Sequence, residues 1–552
     1  MKFIKLNAQI IFLLAVSTFV MLHKLGTVPS GLYVDEALSG YNAYSILKTG
    51  RDEYAKSFPI AFRFFGSYSP PLYVYLTAIS VKLLGLNVFS TRFVSAVAGV
   101  VMTYVFYVSL KIFKITKNKL STFFATFVFI VSPWNILLAR SGHEVYLGFL
   151  LFSMSTLLLY RAISQQKWLL MGLLLMSLST YGAHTERFLA PLFLTFYFLF
   201  FYKKLKLDKQ KIKQGLSLLL FSQLPNIYLL ATPAFFSKTK LFFQSVIVVQ
   251  SAKIYLPSFI SYPLAFVREF FSQFVTYFSP RSLFLLGDPD FQRSAPEIGV
   301  FQSWLVIPYL VGVFLLWKER KNTWSKYLLL MLFATPFLTS ITKDPFSSQR
   351  ALPLLYPLSL VIGLGINYFF EKYNKKGVSV VFFGLLVLFL ISLWRSYFVL
   401  LPGERGEYWT HGYKDLANEI YKRPNTKFIV DQTRQKPSYI ELLFFLQYPP
   451  ERLHNEVGSH IAENYYKDTQ FEQGYKLSNF VTRSIVWEMD VYKQQILVGD
   501  DLAISESQAR EHFLNKVFEV RSEMGEIIFV GYETNPAKKC RQNPSDVHCK
   551  DI

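Results

Sequence analysis

Two adjacent carboxylates, Asp35 and Glu36, stand a few residues beyond an apolar run that closes near Leu25. Acids at such a boundary are costly unless they are paired or act. A carboxylate there can take a proton from a hydroxyl as general base. Neighbouring helical positions point to different faces, so only one of the pair can face a reacting centre. The competing reading is a cap: Glu36–Lys48 reads as a helix, and an Asp35 oxygen would bind its first free amides.

Basic residues recur beside other apolar runs. Arg140-Ser141-Gly142-His143-Glu144 and Tyr181-Gly182-Ala183-His184-Thr185-Glu186-Arg187 each close an apolar stretch, and Arg293 and Arg350 lie in later connections. The planar arginine fork donates in pairs to phosphate oxygens; the alternative is snorkelling from helix ends. His and Glu at a similar depth leave a divalent metal open as a cofactor. The spacing matches no metal motif, and no residue is assigned to one. Tyr68-Ser69-Pro70-Pro71 suits a helix start. The chain has no Gly-rich phosphate loop and no Ser-His-Asp order.

The elements that must hold these residues are membrane helices. Of 552 residues 52% are hydrophobic and 17% charged, too apolar for an ordinary soluble enzyme of this length. Eleven spans are expected, at roughly 8–26, 87–110, 120–138, 146–160, 168–183, 188–202, 214–233, 301–317, 327–341, 351–370 and 377–398. The first, after Lys2 and Lys5, reads as a retained signal anchor, with a cleaved signal peptide as the alternative. The net charge of +21 is concentrated in Lys111–Lys119, Arg161–Lys167, Lys203–Lys213, Lys318–Lys326 and Glu371–Lys376. That placement follows the positive-inside rule rather than a nucleic-acid surface. It puts the N-terminus in the cytoplasm. Three large pieces then share the outer face: a first loop 31–85, a second loop 234–300 and a tail 403–552. Within the second loop, Tyr255–Phe278 reads as helices lying on the membrane surface.

The tail is polar and long enough for a small α/β domain separate from the membrane domain 1–400. Lys427–Val430, Gln495–Val498 and Glu526–Tyr532 read as strands; Tyr413–Tyr421 and Ser505–Lys516 read as helices. Cys540 and Cys549, both in this tail, suit a disulfide in an oxidising compartment, against two free thiols.

The chain resembles the bacterial branch of the dolichyl-phosphate-mannose protein mannosyltransferase-like enzymes, membrane glycosyltransferases of the GT-C fold. The resemblance rests on Val34-Asp35-Glu36 with Gly40-Tyr41-Asn42-Ala43, Thr49-Gly50-Arg51-Asp52-Glu53-Tyr54, Phe65 through Tyr73, and Gly85 through Arg92. It continues in Arg140 with His143-Glu144, Tyr181 through Arg187, Gly287 through Ser294, Gln349-Arg350-Ala351, Gly412 through Leu416 and Tyr439 through Tyr448. It implies a multi-pass cell-membrane enzyme that moves a sugar, mannose or another hexose, from a polyprenyl-phosphate donor with inversion. Asp35 would be the general base with Glu36 beside it. Donor, substrate and phosphate contacts would fall among Arg51, Asp52, Tyr68, Arg140, His143, Glu144, His184, Arg187, Arg293 and Arg350. The acceptor hydroxyl would belong to a protein, a lipid or a glycan on the outer face. The family pattern often has Lys before the Pro pair, with an acid before it in aminoarabinose-transferring relatives. Here those places are Ser69 and Tyr68, so that branch's phosphate and metal contacts have no counterpart there. Many bacterial relatives carry Phe where this chain has His143. A lipid-linked-sugar flippase and a non-catalytic glycan-binding membrane protein are the competing readings.

Overall fold

The computed structural model describes residues 7–237, 257–342, 344–433, 438–457, 460–467, 469, 474–542, 544 and 546–549. Lys2, Lys5 and Tyr255 lie outside them, as does the 238–256 part of the second loop.

Each of the eleven expected spans carries helix, but the count of eleven is not reproduced. Among the described residues six helices are long and apolar enough to cross a membrane: Val88–Ile112, Val145–Ala162, His184–Leu205, Thr323–Ile341, Leu352–Lys372 and Lys375–Glu404. A seventh is gained if Lys119–Ile130 and Pro133–Ala139, bent by 51°, form one span. Pro133 lacks the amide that would continue the first of these helices. The other expected spans are short or broken. Helix α1 is Ala8–Leu22, and Leu169–Ser179 has 11 residues. The helix Lys209–Ser222 stops just before Leu224–Leu230, which carries a Pro in its first turn.

The lysine-rich connections meet at one end of the bundle. Lys117 pairs with Glu371 at 3.1 Å, and Lys204 donates to Thr323 at 2.6 Å. The candidate residues therefore sit at the opposite ends of the same helices. Helix α2 (Val34–Thr49) opens that end, and a hairpin of β1 (Phe62–Phe64) and β2 (Ser67–Ser69) follows it. Its two-residue turn, Phe65-Gly66, has positive φ at both positions, which matches the twist of a tight hairpin. Next come α3 (Leu72–Leu84) and α4 (Val88–Ile112). The Gly85–Arg92 motif explains its own residues, because Asn87 caps α4. Its side chain accepts from the Ser90 amide at 2.9 Å, and the Ser90 hydroxyl accepts from the Asn87 amide at 3.2 Å. The described part of the segment expected to lie on the membrane surface forms one helix, Ser258–Thr276, whose Phe270 and Phe274 pack against Phe337 and Phe333 of the candidate span Thr323–Ile341.

The tail builds a mixed six-stranded sheet in the order β4-β5-β3-β6-β8-β7. The strands are β3 (Phe428–Val430), β4 (Tyr475–Leu477), β5 (Phe480–Thr482), β6 (Ile496–Gly499), β7 (Asn515–Arg521) and β8 (Ile527–Glu533). The expected helix over Ser505–Lys516 is shorter, Glu506–Glu511. Phe513 takes positive φ, and the chain turns into β7 along β8. Cys540 and Cys549 are disulfide-bonded, with Cα atoms 5.6 Å apart.

The first loop and the tail, separate in the sequence reading, share one core. Leu38, Tyr41, Phe62 and Val74 pack with Leu416, Phe428, Ile440 and Leu443. Two glycines permit this contact. At Gly31, with φ +86°, a Cβ would lie 2.0 Å from the Trp409 carbonyl oxygen, and at Gly40 a Cβ would lie 2.5 Å from the Phe444 ring. Asp52 is buried in the same interface. It accepts from the amides of Tyr54 at 3.0 Å and Lys56 at 2.8 Å, and from the Tyr465 hydroxyl. Burial pushes its pKa up to about 7, against the pull of the Tyr465 hydrogen bond. The folded chain therefore binds this proton more tightly than the unfolded chain. Stability must fall as pH rises from the ordinary carboxylate range toward 7, then level off. Wild-type melting temperature is expected to drop between pH 5 and pH 8, and Asp52→Asn to flatten that dependence. Differential scanning fluorimetry across this range checks it.

Candidate active site

Asp35 is the second residue of α2, not its cap. The first residue outside the helix is Tyr33, and its amide is bound by the Glu36 side chain at 2.9 Å. Glu36 therefore does the capping expected of Asp35. Glu36 is also removed from the reacting pair. Its side chain and that of Arg92 are both 0% exposed, and they meet in a two-pronged contact, Nε–Oε1 3.0 Å and Nη2–Oε2 2.8 Å. The Gly142 amide takes a further place on Oε1. A carboxylate so enclosed positions the two loops around it.

Asp35 keeps a side chain that is 20% exposed. Its Oδ2 lies 3.3 Å from His143 Nε2, while His143 Nδ1 meets Glu144 Oε2 at 2.8 Å. The Gln349 side-chain amide lies 3.0 Å from the same Nε2. The Tyr33 ring stacks on the imidazole, centroids 6.5 Å apart at 19°. Burial lowers the His143 pKa, but the flanking Glu144 and Asp35 outweigh it and raise it to about 9.

Two arginines complete this end. Arg293 pairs with Asp290 at 3.4 Å and donates to the Ser347 hydroxyl at 3.3 Å. Arg350 holds Asp344 and donates to Thr342 at 3.1 Å. Burial lowers the Arg350 pKa against the pull of Asp344, and the nearby charge of Arg293 lowers it further. Buried Asp288 pins the connecting loop by accepting from the Ser348 amide at 2.6 Å and its hydroxyl at 2.7 Å. Two cations close enough to oppose each other suit an anion between them.

The remaining candidates lie elsewhere. Arg140 closes the end of α1. It donates to the carbonyls of Val20 at 2.7 Å, Met21 at 3.1 Å and Val28 at 3.1 Å, and to the Tyr397 hydroxyl at 3.1 Å. These bonds occupy the fork expected to hold phosphate. Arg51 and Asp52 follow the far end of α2, 16 residues long, or roughly 24 Å at 1.5 Å per residue. Tyr68 is buried against Tyr465 and Tyr466 and donates to the Tyr465 carbonyl. It docks the tail. His184 meets the Phe188 ring. Arg187 stacks over Phe235 at 5.0 Å, and its Nε and Nη2 have no acceptor among the described residues. Glu186, buried, lies toward Glu144. Sequence reasoning missed Arg92, Gln349 and Tyr33 as site-forming residues. Arg92 and Gln349 stood inside motifs the resemblance used, but their partners are remote in sequence. Among the described residues no group of three or more His, Cys, Asp and Glu is arranged to hold a metal ion.

Comparison with known proteins supports the resemblance read from the sequence. The family model described as dolichyl-phosphate-mannose-protein mannosyltransferase matches residues 68–229. The fold matches that of ArnT from Cupriavidus metallidurans bound to undecaprenyl phosphate, with TM-score 0.56 and 13% identity over 95% of this chain and 98% of that one. The apo state of the same protein matches with TM-score 0.54 and 13% identity, over 95% and 97%. No curated protein sequence matches the chain.

Proposed function

We propose that this chain is a membrane glycosyltransferase that moves a sugar, mannose or another hexose, from a polyprenyl-phosphate donor to an acceptor hydroxyl at the extracytoplasmic face. The observation that carries this reading is a partly exposed Asp35 joined through His143 to Gln349, the neighbour of Arg350, with Tyr33 lying between Asp35 and Arg293, at the end of the bundle remote from the lysine-rich loops. The lysine-rich loops at the other end, read by the positive-inside rule, support an extracytoplasmic position for this end and for the tail sheet.

Asp35 Oδ1 takes the acceptor proton as the acceptor oxygen attacks the anomeric carbon. The bond from that carbon to the phosphate oxygen breaks on the opposite face, so the configuration inverts. The electron pair leaves with the lipid phosphate, whose charge Arg293 and Arg350 stabilise. Water could attack the same carbon of the donor, and the packed first loop and tail limit water at the site.

A groove of about 330 Å³ between membrane helices suits the lipid chain. Phe274, Phe278, Tyr309, Trp317, Phe333 and Val361 are among its lining residues. The residue beside Phe278 is Tyr277, whose hydroxyl accepts from the Ser347 amide at 3.1 Å, in the loop that carries Arg350. One hydrogen bond thus ties the segment that lines the groove to the loop of Arg350, and an apolar groove on these helices favours a lipid-linked donor over a soluble nucleotide sugar. The charges sit at helix ends rather than at mid-membrane, which disfavours a flippase.

The test is transfer by purified protein in nanodiscs from a polyprenyl-phosphate hexose. Equal transfer from a nucleotide hexose would overturn the donor assignment. Arg293→Met is expected to raise the donor KM by roughly 10–100-fold, the loss of one or two charge-assisted hydrogen bonds, with a smaller change in kcat. Initial rates over a donor concentration series separate the two.

A further inference from the structure

His143 is the least explained residue of the site. It is buried, it lies between two carboxylates, and it touches three separate parts of the chain: Asp35 on α2, Glu144 beside it, and Gln349 next to Arg350. Its backbone carbonyl is fixed as well, accepting from the Ser95 hydroxyl of α4 at 3.0 Å. Such a hydrogen-bonded ring has one orientation available to it.

Carboxylates lie on both sides of the imidazole. Asp35 and Glu144 flank it, and Glu186 lies beyond Glu144. On the other side Tyr33 separates it from Arg293 and Asp290, which oppose each other in sign. Ser95 and Gln349 are neutral. Both ring nitrogens face carboxylate oxygens, Nε2 toward Asp35 and Nδ1 toward Glu144, and a neutral imidazole has a proton for only one of them. The imidazolium donates to both.

We infer that His143 is a positioning residue that, as an imidazolium bridging Glu144 and Asp35, holds Asp35 with Oδ2 engaged and Oδ1 presented to the acceptor hydroxyl. This rests on the reading of Asp35 as the base. His143 itself gains and loses no proton in the transfer. The acceptor proton ends on Asp35 Oδ1 and leaves to solvent after the product departs. With both ring nitrogens protonated Nε2 cannot accept, so Gln349 turns its amide oxygen to that N–H, and through it the setting of the base is linked to the loop bearing Arg350.

The experiment compares wild type, His143→Gln, His143→Phe and Asp35→Asn in nanodiscs with a polyprenyl-phosphate hexose, recording kcat against pH. His143→Gln keeps a hydrogen bond but not the charge. It is expected to lower kcat at pH 7 by about tenfold and to move the acid limb of the profile upward by about one pH unit, with donor KM unchanged. His143→Phe is expected to lose more, and scanning fluorimetry checks that it folds. A purely structural role would lower activity without moving the limb, and an unmoved limb in His143→Gln overturns the proposal. If Asp35→Asn is fully active the base reading falls instead, so the two failures are distinguishable.

A second readout needs no turnover. The chain has 8 histidines, and ¹³C-histidine NMR with His143→Gln as the assignment control reports the state of this ring. The imidazolium is expected at pH 7.5 in wild type, deprotonating at lower pH in Asp35→Asn and Glu144→Gln. A neutral His143 ring at pH 7.5 in wild type overturns the inference.

Discussion

Asp35→Asn is expected to reduce turnover by roughly 10²–10⁴-fold, the range a positioned general base contributes, while leaving the protein folded and the donor KM nearly unchanged. Three observations set that expectation. Asp35 makes its hydrogen bond to His143 through one oxygen, at 3.3 Å, a contact an isosteric amide can keep. The capping of α2 rests on Glu36 rather than Asp35, so the substitution leaves the helix start intact. The partial exposure of the carboxylate gives the amide access to water. A capping role would show the opposite pattern, a stability loss of about 1 kcal/mol with turnover largely kept. Initial rates at saturating donor, beside melting curves, separate the two, and near-wild-type turnover would remove Asp35 from the chemistry.

What was legible in the sequence follows the range of each interaction. The position of Asp35 beyond the first apolar run is local, and so are the Asn87–Ser90 cap and the cysteine pair nine residues apart. The gathering of Asp35, His143, Glu144, Arg293 and Arg350 was approachable because the alternation of apolar runs and lysine-rich loops puts these connections at one end. Arg140 shows the limit of that logic. It has the residue type and depth of a phosphate ligand, yet the unwound end of α1 leaves carbonyls that need a donor, and Arg140 serves them. The use of Glu36 was hidden for a similar reason. Its partner Arg92 lies on another helix, 56 positions away, and no periodicity links the two. Tyr68 likewise looked like part of the donor site. Its contact is with Tyr465 in the tail, 397 positions on, and only the folded chain brings the hairpin and the tail together. The number of spans is the least legible part, because several apolar helices, Ala8–Leu22 and Ser303–Lys318 among them, are shorter than a membrane-spanning helix needs and length alone does not assign them.

The Glu36–Arg92 pair should carry the largest stability effect in the molecule. Both side chains are fully buried, and removing one partner of a buried pair leaves the other charge uncompensated, at a cost of about 3–5 kcal/mol. Arg92 binds more than Glu36. It donates to the carbonyls of Leu25 at 3.2 Å, Pro29 at 3.0 Å and Gly31 at 2.9 Å, tying the link between α1 and α2 to α4. Glu36 in turn holds the Tyr33 amide and the Gly142 amide, one residue before His143. Arg92→Met and Glu36→Gln are therefore expected to lower the melting temperature sharply, and to reduce turnover further by loosening Asp35 against His143. The double variant Arg92→Met with Glu36→Met discriminates the two effects. Replacing both charges by apolar side chains removes the uncompensated charge and should restore part of the stability. Turnover should stay low, because the Tyr33 and Gly142 amides still lack the acceptor that sets the site. Fluorimetric melting with transfer rates on the same preparations tests this, and a double variant that recovers full activity would show that the pair serves stability alone.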